Sequence, residues 1–243
     1  MNAHHILKIL TSGAGWLAVD KPAGMSVHND PGRDLCTLCA ARLMADDLLK
    51  AGIKPDTDFG VHAVHRLDRD TSGVVLLAAR REALRFLAAQ FEKRTVSKRY
   101  VAILHGIMVP PSGSAWGMWR WPLTKNAAGR RDPAGRGQRK ACQTRFRVLA
   151  TSSHYTQVEC APETGRKHQI RRHAKLAGHP VVGDRRYGSR RSLVYLQEKC
   201  GFSRLGLHAR ALTFLPPDGD KSLTVQASEM PTEFKRLLEM DKV

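Results

Sequence analysis

Residues 65–79 read His65-Arg66-Leu67-Asp68-Arg69-Asp70-Thr71-Ser72-Gly73-Val74-Val75-Leu76-Leu77-Ala78-Ala79. The last six are all apolar, which predicts a buried strand. The nine before them place a carboxylate, Asp68, between Arg66 and Arg69 at the mouth of that strand. A buried charge is costly unless paired, so this cluster needs an answering group. A carboxylate flanked by guanidiniums is a candidate nucleophile or base, although a structural ion pair explains the spacing equally well. Thr71, Ser72 and Gly73 favour the functional reading. Their hydroxyls can reach a carboxylate or the local backbone, and glycine permits a tight turn. Asp70 has two readings: an acid–base partner of Asp68, as in paired-carboxylate hydrolysis, or a residue that answers a neighbouring arginine or caps a turn.

Working outward, Trp16 to Val19 predicts a strand ended by the turn Lys21-Pro22-Ala23-Gly24, and Leu35 to Leu49 predicts a helix. Residues 80–94 predict a helix with Leu84, Leu87, Ala88 and Phe91 on one face, followed by a strand over 98–104. Residues 112–139 hold five glycines, two prolines, Arg120, Lys125, Arg130, Arg131, Arg136 and Arg139, the composition of a long, basic, mobile hairpin arm. Strands are expected over 144–149 and 157–160. Thr164 reads as the N-cap of a helix over about 166–177, closed by Gly178 and Pro180. Strands over 207–215 and 223–227 flank the hairpin turn Pro216-Pro217-Asp218-Gly219, and Thr232 reads as the cap of a final helix. Strands and helices do not alternate regularly, so the pattern predicts an α+β fold, a single domain over 1–243.

Charge is the strongest bulk signal. The 243 residues carry a formal net charge of +18, and residues 80–150 alone hold sixteen basic against three acidic side chains. Most of the excess is arginine, whose planar fork matches phosphate, so the expected partner is a nucleic acid. No apolar run approaches the roughly 18 residues needed to span a bilayer. The first residues carry no secretory pattern, and five scattered cysteines suit a reducing compartment, so a cytoplasmic location is expected. Cys36-Thr37-Leu38-Cys39 has the spacing of a metal or redox motif, but no second pair supplies the further ligands zinc requires; no metal is expected.

The segment His65–Gly73 resembles the H-R-L-D-x-x-T-S-G signature of the RluA-type pseudouridine synthases. Four further stretches agree in order: Lys21-Pro22-Ala23-Gly24; Lys98-Arg99-Tyr100-Val101-Ala102 with Gly106; Lys140-Ala141-Cys142-Gln143-Thr144; and Thr164-Gly165-Arg166-Lys167-His168-Gln169-Ile170-Arg171 with His173, Gly178-His179-Pro180 and Gly183-Asp184. The last is similar to the pattern T-G-R-x-H-Q-[IL]-R-x-H, which leaves position 172 open. A nine-residue signature with four ordered partners is far more specific than a lone short motif.

The resemblance implies a mixed, mostly antiparallel central sheet flanked by helices, and an isomerase that detaches uracil from ribose, rotates it and rejoins it through carbon, without cofactor or metal. It implies Asp68 as the essential carboxylate, Tyr100 stacked on the uracil of a flipped-out nucleotide, and Arg171 as the charge paired with Asp68. Arg66 is implied to hold the RNA open. Arg69, Arg130, Arg131, Arg136, Arg139, Lys140, Arg166, Lys167 and Arg172 are the expected phosphate contacts, aided by free amides at Thr164-Gly165. The substrate is a tRNA or rRNA, with no obligate protein partner and a monomer expected. Asp20 stands where the family has asparagine, and no S4-type module fits before Trp16, which leans toward a compact RNA held by the arm. Two other readings remain: a catalytically silent RNA-binding protein on this fold, and a uridine nucleosidase using Asp68 and Asp70. The intact signature argues against the first.

Overall fold

In the computed structural model, which describes residues 7–109, 114–126 and 129–242, the chain divides into two units. One comprises the described residues of Met1–Ser97 with Ala209–Ser228, and the other those of Lys98–His208 with Glu229–Val243.

In the first unit, β1 (Lys8–Gly13) pairs antiparallel with β2 (Trp16–Lys21). The apolar run after Asp68 forms β4 (Ser72–Ala78), buried at every position, which pairs with β2 and with the short β3 (His62–Ala63). Lys21 stands opposite Gly73 in this register, so the early Lys-Pro turn and the signature meet end to end. The expected helix over 35–49 is two helices, α1 (Leu35–Ala45) and α2 (Asp47–Ile53). The break is at Asp46, whose extended backbone leaves the helix while its carboxylate accepts from the Leu49 amide at 3.0 Å. Aspartate favours such a cap over a helix interior. Helix α3 (Arg81–Glu92) lays Leu87 on Trp16, Val74 and Leu76, in a core completed by Leu212, Phe214 and Val225. The last of these lies on β12 (Leu223–Gln226), which forms the expected hairpin with β11 (Leu207–Phe214), counting strands in chain order. Asp218 at its turn accepts from the Ala14 amide and the Trp16 indole, both at 2.9 Å, tying it to the β1–β2 turn.

Gly73, the glycine that closes the signature, is tightly constrained. Its φ is +110°, and a Cβ there would sit 2.2 Å from the Ala209 carbonyl oxygen. Gly73→Ala therefore meets backbone, not a yielding side chain. A loss of about 2 kcal/mol or more is expected, seen as a fall in Tm of roughly 4–8 °C; an unchanged Tm would show that the backbone relaxes there freely.

In the second unit, β5 (Ser97–His105), β10 (Tyr155–Pro162), β9 (Thr144–Thr151) and β6 (Gly117–Trp119) pair antiparallel in that spatial order. A separate pair joins β7 (Leu123–Thr124) to β8 (Arg139–Lys140). Alternation along the strands gives the sheet two faces. Tyr100, Ala102, Leu104, Phe146, Val158 and Cys160 pack beneath Ile170 and Ala174 of α4 (Gln169–Leu176). Val101, Ile103 and Tyr155 face the other way, against Leu196 of α5 (Arg190–Cys200) and Phe234 and Leu237 of α6 (Thr232–Met240).

The α+β class and the mixed, mostly antiparallel sheet flanked by helices agree with expectation; besides the split helix over 35–49, three local points do not. Helix α4 starts three residues later than expected, because the Thr164 hydroxyl donates to the Gln169 side chain at 2.7 Å instead of capping. Helix α5 was not expected from the sequence, since its exposed face mixes Val194 and Tyr195 with charged residues and blurs the period. Thr232 lies inside α6, with Pro231 at the cap position and no side-chain cap bond. No helix among the described residues is long and apolar enough to cross a membrane.

Candidate active site

In the first unit the signature is a tight turn leading into β4. Asp68 is half-buried, and its carbonyl accepts from the Thr71 amide at 3.1 Å. Thr71 and Ser72 are buried, whereas Arg66 and Arg69 are exposed. His65 accepts the Leu76 amide on Nε2 at 3.1 Å and stacks on Phe91 at 4.8 Å, fixing the approach to the turn. Arg69 is committed to the early turn: its Nε donates to the Gly24 carbonyl at 2.8 Å, and its own carbonyl accepts from the Gly24 amide at 2.9 Å.

Lys21 holds this arrangement from within. Its side chain is fully buried, and Nζ donates to the carbonyls of Pro22 (2.8 Å), Met25 (2.8 Å) and Arg69 (2.9 Å). An ammonium has three donors, so the carbonyls use its full capacity. Reading the Lys-Pro stretch only as a turn missed this role, because a lysine aimed at backbone carbonyls leaves no pairing signature in the sequence.

In the second unit Tyr100 lies on β5 opposite Cys160 and is partly buried at the margin of the core under α4. Arg171, on α4, is 6% exposed and makes a bidentate pair with Asp184, Nε–Oδ2 2.7 Å and Nη2–Oδ1 2.9 Å. Asp184 is completely buried and also accepts the backbone amides of Arg186 (2.9 Å) and Tyr187 (3.0 Å). Burial by itself raises its pKa. The hydrogen bonds and charge of Arg171, with those two amides, outweigh that and hold the carboxyl below its ordinary value. The Arg171 guanidinium lies 5.4 Å from the Tyr187 ring centre, and the Tyr187 hydroxyl meets His168 Nδ1 at 3.1 Å. The sequence named Gly183-Asp184 as part of a motif without giving the carboxylate a role; within its unit it is the group that orients Arg171.

The loop before α4 is held by Gln169. Its Oε1 accepts from the Thr164 hydroxyl and the Arg166 amide, and its Nε2 donates to the Gln143 carbonyl and the Thr144 hydroxyl, both at 2.9 Å. The Arg166 amide, which follows the Thr164-Gly165 amides expected to meet phosphate, is thus already engaged at 3.0 Å. Lys167 is exposed and Arg166 half-buried. Arg130, Arg131, Arg136, Arg139 and Lys140 are all exposed, as phosphate contacts must be. Arg172 is not. It is fully buried and enclosed by backbone carbonyls of the arm, so its assignment as a phosphate contact is corrected. The described arm is also less free than a mobile hairpin, being tied to α4 through that residue; residues 112, 113, 127 and 128 lie outside the described residues.

A second basic cluster, absent from the expected site, lies on the sheet face opposite Tyr100. Arg99 and Arg147 share Glu159, Arg145 pairs with Glu163 at 3.1 Å, and all three guanidiniums lie 5.1–5.5 Å from the Trp116 ring centre. Burial raises the Glu159 pKa, but hydrogen bonds from Arg99 and Arg147 bring it below the ordinary value. Cys36 and Cys39 lie in α1, where burial pushes their thiols up to about 11 and about 12. Among the described residues no three His, Cys, Asp or Glu side chains are grouped so as to hold a metal ion.

A family model described as RNA pseudouridylate synthase matches residues 15–176, from the start of β2 to the end of α4. The chain belongs to that family. Among curated members, the ribosomal large subunit pseudouridine synthase C of Vibrio cholerae is 38% identical over 214 residues, covering 87% of this chain and 62% of its own length. The Escherichia coli protein of that name is 37% identical over 226 residues, covering 92% of this chain and 66% of its own length. The chain therefore spans just under two thirds of these relatives. Among solved structures, human RNA pseudouridylate synthase domain containing 4 superposes with a TM-score of 0.71 at 25% identity, covering 96% of this chain and 92% of that one. Human RNA pseudouridylate synthase domain containing 1 gives 0.73 at 23% identity and supports the fold. For this pseudouridylate synthase family member, the matched span contains Asp68, Tyr100 and Arg171 together with the whole arm.

Proposed function

We propose that this chain is an RNA pseudouridine synthase, converting a uridine of structured RNA into its carbon-linked isomer. The observation that carries the reading is the complete signature His65–Gly73, with Asp68 on the turn before β4, inside a chain that belongs to the family. Asp68 acts on the sugar or base as the bond between ribose and uracil N1 breaks. Tyr100 stacks on the freed ring while it turns, and the ribose–C5 bond then forms. A proton leaves C5 and one is gained at N1, so atoms and electrons balance without cofactor, metal or water. Arg171 is the counter-charge to Asp68, itself held in orientation by Asp184. A stacked uridine hides its glycosidic bond, so the nucleotide must be flipped out, with Arg66 keeping the helix open behind it. The exposed arginines of the arm supply the phosphate contacts.

The relatives' names point to the large ribosomal subunit, so its RNA is the first substrate to test, with tRNA second. Purified protein is incubated with unmodified transcripts of each, and pseudouridine is mapped by carbodiimide labelling. A new reactive position with unchanged RNA mass is expected. Release of free uracil would instead establish a nucleosidase, and tight binding without any modification a silent RNA-binding protein; either result overturns the proposal.

A further inference from the structure

Arg172 uses all its donors on protein. Nε donates to the Pro133 carbonyl (2.5 Å), Nη1 to the Thr124 (3.0 Å) and Lys167 (3.3 Å) carbonyls, and Nη2 to the Ala134 carbonyl (2.6 Å) and the Thr124 hydroxyl (3.0 Å). A guanidinium has five N–H groups in a rigid plane, and here all five are spent on four carbonyls and one hydroxyl. Thr124 belongs to the outgoing strand of the arm, and Pro133 and Ala134 to its return. The same plane therefore joins both sides of the arm and fixes them to α4. Burial pulls the Arg172 pKa down, as expected of a cation surrounded mainly by neutral groups.

The crossing is tight from the arm side as well. The Thr124 amide donates to the Ala134 carbonyl at 3.1 Å, and the Gly135 amide donates to the Asp132 carboxylate at 3.0 Å. Gly135 has φ +82°, and a Cβ there would sit 2.1 Å from Thr124 Oγ1. Leu123, Ala134 and Cys142 make a small core beside this crossing, with Leu176 of α4 packed on it. His173, which follows Arg172 on α4, secures the approach to the arm by contacting the Trp121 carbonyl at 2.9 Å and the Thr144 hydroxyl at 3.0 Å. The exposed Arg130, Arg131, Arg136 and Arg139 thus project from a segment whose position is set by a buried side chain one residue from Arg171.

We propose that Arg172 is a positioning residue for RNA: its clamp across Thr124, Pro133 and Ala134 fixes the pose of the basic arm, and so sets RNA affinity from a place RNA never touches. The RNA half of this statement rests on the proposed function; the clamp itself does not. A preformed row of cations binds a phosphate backbone without first being ordered, whereas a loosened arm must be ordered at each encounter and binds more weakly. Methionine at 172 keeps length and apolar volume but offers no donor, and leaves the arm carbonyls without their partner. Lysine keeps the charge but cannot reach all five acceptors at once.

The test uses the full chain with Arg172→Met, Arg172→Lys and, from the arm side, Gly135→Ala. Limited trypsin digestion reads the clamp directly, because Arg130, Arg131, Arg136 and Arg139 are themselves cleavage sites and cutting requires local opening. Arg172→Met is expected to be cut in the arm about tenfold faster than the native protein, with Arg172→Lys in between. KM for RNA is expected to rise about tenfold, with the loss in KM and not kcat, as for an interaction that governs binding alone. If Arg172→Met fails to fold, Gly135→Ala disturbs the same crossing and is expected to show both effects. Native rates of arm cleavage in the folded variants overturn the clamp, and faster cleavage with an unaltered KM overturns its role toward RNA. A native protein that makes no pseudouridine overturns the proposed function instead; trypsin then still decides the clamp, and dissociation constants measured by filter binding replace KM for the RNA half.

Discussion

Replacing Asp68 by asparagine is expected to abolish pseudouridine formation while leaving RNA binding within about twofold of native. The substitution keeps shape and removes charge, and Asp68 is only half-buried, so the turn and β4 should survive it. The turn is held at its backbone carbonyls: the Thr71 amide donates to that of Asp68 and Lys21 Nζ to that of Arg69, and neither bond involves the Asp68 side chain. An amide is a poor nucleophile and base, so a reaction that needs the carboxylate falls by several powers of ten. The measurement is pseudouridine yield in a single turnover with excess enzyme, alongside RNA affinity. Residual activity above a tenth of native would remove Asp68 from the reaction.

Asp184→Asn has the largest expected effect on stability. Oδ2 accepts from Arg171 Nε, and Oδ1 from Arg171 Nη2 and two backbone amides, so an amide group has no side on which its NH2 meets an acceptor. It also removes the carboxylate charge from a buried pair while keeping the Arg171 guanidinium in place, and breaking such a pair on one side costs about 3–5 kcal/mol. The pH dependence follows from the same pair. The folded-state pKa of Asp184 lies below its unfolded value, so the stabilisation is fully present above the unfolded value and is lost as pH falls through the folded one. The native protein should lose stability across that acidic window, and the variant should lack this component. Denaturant melts from neutral pH into the acid range, native beside variant, give both numbers; parallel curves would show that Asp184 is not the titrating group.

Much of the candidate site was legible because it is local. His65–Gly73 carries its own turn, glycine and following strand, and Tyr100 and Arg171 stand in short motifs whose residue types persist in one order. Partners that are neither near in sequence nor opposite in charge were not legible. Lys21 and Arg172 both look like surface cations by type, and both are buried on backbone carbonyls, an acceptor every residue possesses. Burial of that kind is decided by which loop crosses above, and pattern along one helix does not record it. Helix α4 shows a related limit. His168, its N-cap, has φ +55°, a conformation that residues with a Cβ seldom adopt, so Thr164 outranks it as a cap by residue type alone.

The Arg172 clamp also bears on how this chain can change over time. Positions 124, 135 and 172 lie on three separate stretches yet share one crossing, where the hydroxyl of the first accepts from the last and excludes any side chain at the second. A lineage that replaces the arginine by an apolar residue gives up the reason for threonine and glycine as well. The three sites should therefore drift as a set, Arg-Thr-Gly in chains with this arm and other combinations in chains whose arm is shorter or folded differently. The open position in the motif is then expected to vary with the arm that a family member carries.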